Sequence, residues 1–295
     1  MLAENERCQI CEGLELFSSS ILRDNFFTVI DEKSCEKSLP LPLNRYLAAD
    51  SRQNLKERMK HDDSYIRCYG KNDMYTGVHV STKLWVGDYN NGDTFEDLAK
   101  ASDGIERIAV LRADVDNLGQ AFVSGFENDI SGDKYVTLSR TASFSRKLSM
   151  FFKLHINNIL ANGEYYLCKD HEKGKRNATI VYSGGDDVFI IGSWDDIIGF
   201  SIDLYNSLKK YSQNTLTISA GIGIYPSKFP VSVMAREVGK LEDHSKAAPN
   251  KNSITLFNEE SCYTWDCLID NVLREKFELV REFFDASKER GKNFL

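Results

Sequence analysis

The sequence predicts an α+β fold on the ferredoxin-like βαββαβ plan, and three observations carry that prediction. Apolar runs of strand length at Ile105–Ala113, Ala178–Tyr182, Val188–Ile191 and Thr215–Ile224 alternate with helical patterns at Ser139–Leu160 and Trp194–Tyr211. The two middle runs flank Ser183-Gly184-Gly185-Asp186-Asp187, the arrangement of a strand, a tight turn and a strand. A further helix at Val231–His244 and a short strand at Ser253–Phe257 extend the unit.

The elements run in order along the chain. Residues 1–45 hold Cys8-Gln9-Ile10-Cys11, an amphipathic stretch (Leu14, Leu16, Phe17, Ile21, Leu22) and a short apolar run at Phe26–Ile30. Pro40 and Pro42 break this segment from the next, because proline removes a backbone donor and biases its predecessor away from helix. Residues 46–105 are polar and turn-rich, with strands expected at Ser64–Tyr69 and Val78–Val86 and a turn at Asn90-Asn91-Gly92-Asp93. They read as a connecting, mostly antiparallel segment. In the long helix after the first strand of the plan, Phe144, Leu148, Phe151, Phe152, His155, Ile156 and Ile159 recur at helical spacing. Beyond Trp265 a last helix carries Leu268, Val272, Phe277, Val280, Phe283 and Phe284 as its expected buried stripe, and the sequence stops at Lys292-Asn293-Phe294-Leu295 in mid-element. Three regions result: a connector over 1–104, the main domain over 105–260 and the start of a helical domain over 261–295. No internal repeat or low-complexity segment is present.

Composition excludes several classes. No segment approaches the roughly 20 consecutive apolar residues of a membrane helix, and no apolar signal core lies behind basic residues at the N-terminus, so no membrane association and a cytoplasmic location are expected. Seven cysteines, an odd number, fit reduced thiols or metal ligation better than a disulfide framework. A formal net charge of −7 argues against coating nucleic acid by bulk electrostatics. Two basic clusters, Lys169, Lys173, Lys175 and Arg176, and Arg281, Lys288, Arg290 and Lys292, read as a solvated loop and a solvated helix face.

The chemistry lies in two acidic strand ends. Asp114 and Asp116 close the first strand of the plan, and Asp186 and Asp187 sit in the hairpin turn about seventy residues later. On the βαββαβ plan these strands are neighbours, so the carboxylates meet on the sheet, where they would raise one another's pKa unless cations neutralise them. Magnesium (or manganese) suits this donor set, since it takes oxygen ligands and commonly combines one or two carboxylates with substrate phosphates. Paired divalent ions stabilise the attacking and leaving oxygens of an in-line displacement at phosphorus. The glycines allow a tight turn and leave space for a nucleotide. Lys246 and Lys251, in the connection after the last helix of the unit, are placed to reach its phosphates. The bland alternative is an acidic hairpin turn, because Gly and Asp are what turns use.

Three segments together carry a family resemblance: Leu111-Arg112-Ala113-Asp114-Val115-Asp116-Asn117-Leu118-Gly119, Phe144-Ser145-Arg146-Lys147-Leu148-Ser149-Met150-Phe151-Phe152, and Ser183-Gly184-Gly185-Asp186-Asp187. The chain resembles the second Palm domain of the large subunit of type III CRISPR effector complexes, most of all its Csm-type branch, over essentially its whole length. The resemblance implies a Palm of GGDEF-cyclase type, in which two Palm domains form a composite site converting ATP to cyclic oligoadenylates when the complex binds target RNA. It implies Asp114, Asp186 and Asp187 as catalytic, metal-binding residues, with Asp116 and the Val115 carbonyl completing the metal set. Ser183, Gly184, Gly185, Lys246 and Lys251 would lie against the nucleotide, and Asn117 and Ser145 against adenine. The spacing of Lys246 and Lys251 departs by about one residue from the cyclase pattern. Cys8 and Cys11 resemble one half of the family's four-cysteine zinc site; zinc wants four ligands, which Cys35 or Cys68 would have to complete, so the pair is expected to be unmetallated.

Full-length members of that family begin with an HD nuclease and a first Palm. His61-Asp62 spells the dipeptide in the polar connector without other histidine context and reads as incidental. The chain is therefore expected to be a C-terminal portion (a split subunit, a truncated product or an expressed fragment) that needs a partner Palm for turnover. The implied partners are that N-terminal half, the other subunits of the effector, and guide and target RNA through the complex. Two rivals are a free-standing GGDEF-like nucleotidyl cyclase acting as a homodimer, against which Asp-Asp in place of Asp-Glu counts, and a non-catalytic scaffold subunit.

Overall fold

The structure, a computed structural model, describes residues 8–31, 38–61, 64–92, 94–127, 132–167 and 174–286. Cys35, Asp62, Asp93, Lys169, Lys173, Lys288, Arg290, Lys292, Asn293, Phe294 and Leu295, named above, lie outside them. The chain divides into two compact units, Met1–Val86 and Gly87–Leu295, ahead of the 104/105 boundary expected from the sequence.

The first unit holds α1 (Gln9–Arg23), β1 (Phe26–Ile30), β2 (Leu39–Leu41), β3 (Arg45–Asp50), α2 (Arg52–His61), β4 (Tyr65–Lys71) and β5 (Thr82–Leu84). Its strands form a sheet of order β2-β3-β1-β4-β5, antiparallel except for the parallel β4–β5 pair. What reads as a connector thus has its own core of Phe26, Leu55, Met59 and Cys68. Helix α2 escapes a periodicity search because, among its described side chains, only Leu55 and Met59, one turn apart, are buried in an otherwise polar sequence. The strand expected at Val78–Val86 shrinks to β5. On α1, Phe17 is buried while Leu14, Leu16, Ile21 and Leu22 are exposed.

The second unit continues with α3 (Phe95–Lys100), β6 (Ile108–Val115), α4 (Leu118–Ser124), α5 (Leu138–Met150), a π-helical turn (Phe151–His155), α6 (Ile156–Ala161), β7 (Ala178–Ser183), β8 (Asp187–Ser193), α7 (Trp194–Tyr211), β9 (Ile218–Tyr225), α8 (Val231–Ala247), β10 (Ser253–Leu256), β11 (Cys262–Thr264), a π-helix (Cys267–Phe277) and α9 (Glu278–Ala286). The sheet order is β11-β10-β9-β6-β8-β7, with β6 antiparallel to both β8 and β9. The α+β architecture and the βαββαβ element order are those expected. No sequence pattern announces α2, α3, α4 or β11.

Central β6 explains its own sequence. Side chains alternate across a sheet, so Ala109, Leu111, Ala113 and Val115 enter the core shared with α6 and α7, while Ile108 and Val110 meet Leu98, Met234 and Val238 on the other face. Burial on both faces removes polar alternation and leaves a continuous apolar run. Arg112 and Asp114 continue the second face to where α8 becomes polar. Helix α8 sits tightly on β9: a Cβ at Gly221 would lie 2.6 Å from the Glu242 backbone nitrogen and 2.8 Å from the Val238 carbonyl. Gly221→Ala is therefore expected to cost about 1–3 kcal/mol by overpacking, read from a lowered urea midpoint.

In the C-terminal helix, Leu268 and Leu273 are buried, Val272 and Phe277 are partly covered, and Val280 and Phe283 are exposed. The π-helical winding, with bonds from i to i+5, shifts the stripe away from the α-helical spacing that predicted it.

Candidate functional site

Pairing between strands brings the acidic ends together. Asp114 of β6 lies directly opposite Asp187 of β8, and the Val115 amide donates to the Asp186 carbonyl at 3.2 Å. The Asp186 carboxyl is pushed above the ordinary carboxylate range by burial and then by the charges of Asp114 and Asp187, and it shares a hydrogen bond with Asp114. Two carboxyl groups in hydrogen-bonding reach of each other form the heart of the site.

A chain of alternating charge supports it from α8. Lys246 donates to Asp114 and lies 2.6 Å from Glu242, one turn back on the same helix; Arg112 Nε lies 2.6 Å from the other Glu242 oxygen. Burial acts to lower the Lys246 pKa, but hydrogen bonds to Asp114 and Glu242 outweigh it and the ammonium form is favoured. Burial pushes Glu242 up. No sequence motif marks Arg112 or Glu242; a lone arginine inside an apolar strand and an i,i+4 Glu–Lys pair on the facing helix are the available signals.

Asp116 departs from its expected place. It is 4% exposed, and its oxygens accept from Thr217 Oγ1 at 2.8 Å, Ser219 Oγ at 2.7 Å and the Asn252 amide at 3.0 Å. The strand ends at Val115, and Asp116 turns inward to clasp the start of β9 to the loop before β10. In that loop Lys251 and Asn252 hold φ of 49° and 48°, and Lys251 Nζ donates to Asn117 Oδ1 at 2.8 Å. Asn117 itself has φ 53°, a left-handed conformation asparagine tolerates better than most side chains.

In the turn, the two glycines differ. Gly184 is buried, and a Cβ there would collide with the Tyr182 hydroxyl and approach Asp187 Oδ1 to 2.9 Å. A Cβ on Gly185 would meet nothing within 4 Å. Gly185 therefore faces open space beside the carboxylates. Tyr182, which no sequence motif marks, is about half exposed, and the Asp187 charge, with a hydrogen bond to it, holds the phenol in its protonated form. The Ser183 hydroxyl donates to the Phe152 carbonyl in the π-helical turn. Ser145 is an exposed residue of α5.

Among the described residues no group of three or more His, Cys, Asp or Glu side chains is gathered as a metal cage. A magnesium ion of the kind that takes one or two carboxylates plus substrate phosphates nevertheless fits Asp114 and Asp186, whose mutual contact is what such a cation relieves. Cys8 Sγ lies 3.1 Å from Cys11 Sγ, and Cys68 is buried in the core of the first unit. Burial pushes Cys68 up to about 11, whereas hydrogen bonds from Cys11 lower Cys8. At pH 8 iodoacetamide is expected to label Cys8 well before Cys68, which peptide mass mapping of the native protein would read.

A wider opening of about 820 Å³ lies beside Tyr225, Glu237 and Phe257, at the end of β9 remote from the carboxylates.

Residues 107–255 match the family described as Cas10/Cmr2, second palm domain. The CRISPR system single-strand-specific deoxyribonuclease Cas10/Csm1 (subtype III-A) of Mycobacterium tuberculosis is 43% identical over 99% of this chain and 36% of its own length. Among solved structures, an apo Csm1-Csm4 cassette superposes with a TM-score of 0.70 at 23% identity, covering 92% of this chain and 38% of that one. A Csm1-Csm4 cassette in complex with cA4 gives 0.67 at 22% identity, covering 89% and 40%. The chain spans little more than a third of the relative it matches.

Proposed function

The chain belongs to the Cas10/Cmr2 second-palm family, and we propose that it binds ATP with a divalent cation and, beside a partner Palm domain in a type III CRISPR effector, joins ATP into cyclic oligoadenylates. The observation that carries this reading is the contact between Asp114 and Asp186 next to the open space over Gly185. Csm1-Csm4 cassettes of the same fold have been solved with one ATP and with AMPPNP, which supports a nucleotide in that space.

Asp114 and Asp186 would hold magnesium or manganese, with the Val115 carbonyl beside them. The ion, when bound, neutralises charge on the attacking 3′-hydroxyl oxygen and on the pyrophosphate that leaves. Lys246 pairs with Asp114 and offers its ammonium to phosphate oxygens; Lys251, held by Asn117, offers a second. Tyr182 fixes Asp187 at the turn. One acidic cluster cannot hold both donor and acceptor nucleotides in near-attack geometry, which is why a second Palm is required.

The test is mass-resolved conversion of ATP with magnesium or manganese by this chain, first alone and then with a first Palm domain and target RNA-loaded complex. Product on complementation only is expected. Product from the chain alone would favour the homodimeric cyclase, and absence of both ATP affinity and product would favour a scaffold.

A further inference from the structure

The face built by α5, the π-helical turn and the end of α7 carries a charge pattern opposite to that of the whole protein. From Leu138 to Gly163 the sequence contains Arg140, Arg146, Lys147 and Lys153 and no acidic residue, and Leu204 to Arg236 is likewise free of Asp and Glu, in a chain of net charge −7. Among the described residues no carboxylate pairs with Arg140, Arg146, Lys147, Lys153 or Lys210.

Two hollows lie on this face. One, of about 290 Å³, is lined by Phe126, Arg140, Ser143, Phe144 and Lys147. The other, of about 370 Å³, includes His155, Asn158, Ser207, Lys210 and Tyr211. They adjoin, because the Tyr211 hydroxyl donates to the Lys147 carbonyl at 2.9 Å. Each combines an aromatic wall, a cation and a neutral hydroxyl or amide. In the first, the Phe144 ring is braced edge-on by Phe122 at 5.0 Å; in the second, Tyr211 packs against His155 at 5.4 Å and Phe151 at 5.1 Å.

We propose that this face binds a single-stranded segment of RNA, with bases against Phe144 and the His155–Tyr211 pair and phosphates along Arg140, Lys147 and Lys210. Unpaired bases stack on aromatic rings while a basic groove tracks the backbone. Ser143, Asn158 and Ser207 add donors and acceptors that 2′-hydroxyls can use, which favours RNA over DNA in the same groove. Acid-free cations in an acidic protein confine the polyanion to this face rather than spreading it over the surface. The surface is separate from the carboxylates, since none of Asp114, Asp186 or Asp187 lines either hollow.

The experiment is fluorescence anisotropy of a labelled oligouridylate, with oligothymidylate and an RNA duplex as further arms, on this 295-residue chain across a salt series. Oligouridylate is expected to bind tightest, with a log–log salt slope of about −2 to −3. The Lys147→Glu, Lys210→Glu double variant should lose at least about ten-fold in affinity and flatten the slope by about 1.4, while Tyr211→Ala alone weakens binding about ten-fold. Lys240→Glu on α8 should bind as the parent does. Circular dichroism melts confirm that each variant is folded. Equal binding by thymidylate or duplex, unchanged binding by the double variant, stoichiometric displacement by ATP with magnesium, or no binding at low salt would each overturn the assignment.

Discussion

Replacing Arg176 by methionine is expected to destabilise the second unit by about 3–5 kcal/mol, the scale of a broken buried ion pair. Arg176 is fully buried between two carboxylates, pairing with Asp203 and, at 3.5 Å, with Asp196; it also donates to the Tyr165 carbonyl at 2.6 Å, and its guanidinium lies 4.8 Å from the Tyr166 ring centre. Asp203 and Asp196 in turn accept from the amides of Glu164, Tyr165 and Asn177, so the cluster fastens the segment before β7 to α7. Methionine would leave two buried charges with no cation. Removing Asp203 as well is not expected to restore stability, because the Glu164 and Tyr165 amides would then lose their acceptor. Urea titration measures this: the midpoint should fall at constant slope, and because domains hold only about 5–15 kcal/mol in all, the variant should be close to unfolding at body temperature. An unchanged midpoint would show that water or rearrangement satisfies the carboxylates.

The second large effect concerns activity. Asp186→Asn is expected to lower cyclic oligoadenylate formation by about 10²–10³-fold in the complemented reaction, the usual scale for removing one charged group at a reacting centre. Its melting temperature should hold or rise, because burial and two neighbouring carboxylates disfavour the native charge. Asp116→Ala should behave in the opposite manner. Three buried or half-buried donors lose their acceptor, so thermal stability falls, and any loss of activity should track the folded fraction. Parallel activity and melting curves for the two variants separate a reacting carboxylate from a structural one; identical behaviour would remove the distinction.

Most of the second unit is legible because its central strands are buried on both faces and therefore spell nearly uninterrupted apolar runs, as in Ile108-Ala109-Val110-Leu111. The meeting of Asp114 with Asp187 comes from the element order alone. The direction each neighbouring carboxylate takes does not, since Asp114 and Asp116 are two residues apart and share a strand face until the strand ends between them. Arg176 reads as part of a solvated basic loop because lysines flank it; its burial depends on Asp196 and Asp203, about twenty residues or more away, and no local pattern reports that. Helix α2 is hidden for lack of apolar periodicity, and the stripe of the last helix is mistaken in phase because π-winding is not encoded in a 3.6-residue pattern.

The inward turn of Asp116 has a consequence for how the protein breathes. Its carboxylate holds the Asn252 amide, and its own amide is held by the Thr217 carbonyl, so the Asp116 N–H is freed when the ends of β6 and β9 part and the Asn252 N–H when its loop lets go of Asp116. Deuterium should enter the Asp116 position at the slow rate of sheet opening, and the Asn252 position more slowly than the amides of an unheld surface loop. The lysine-bearing loop would then be held ready for phosphate before any ligand arrives.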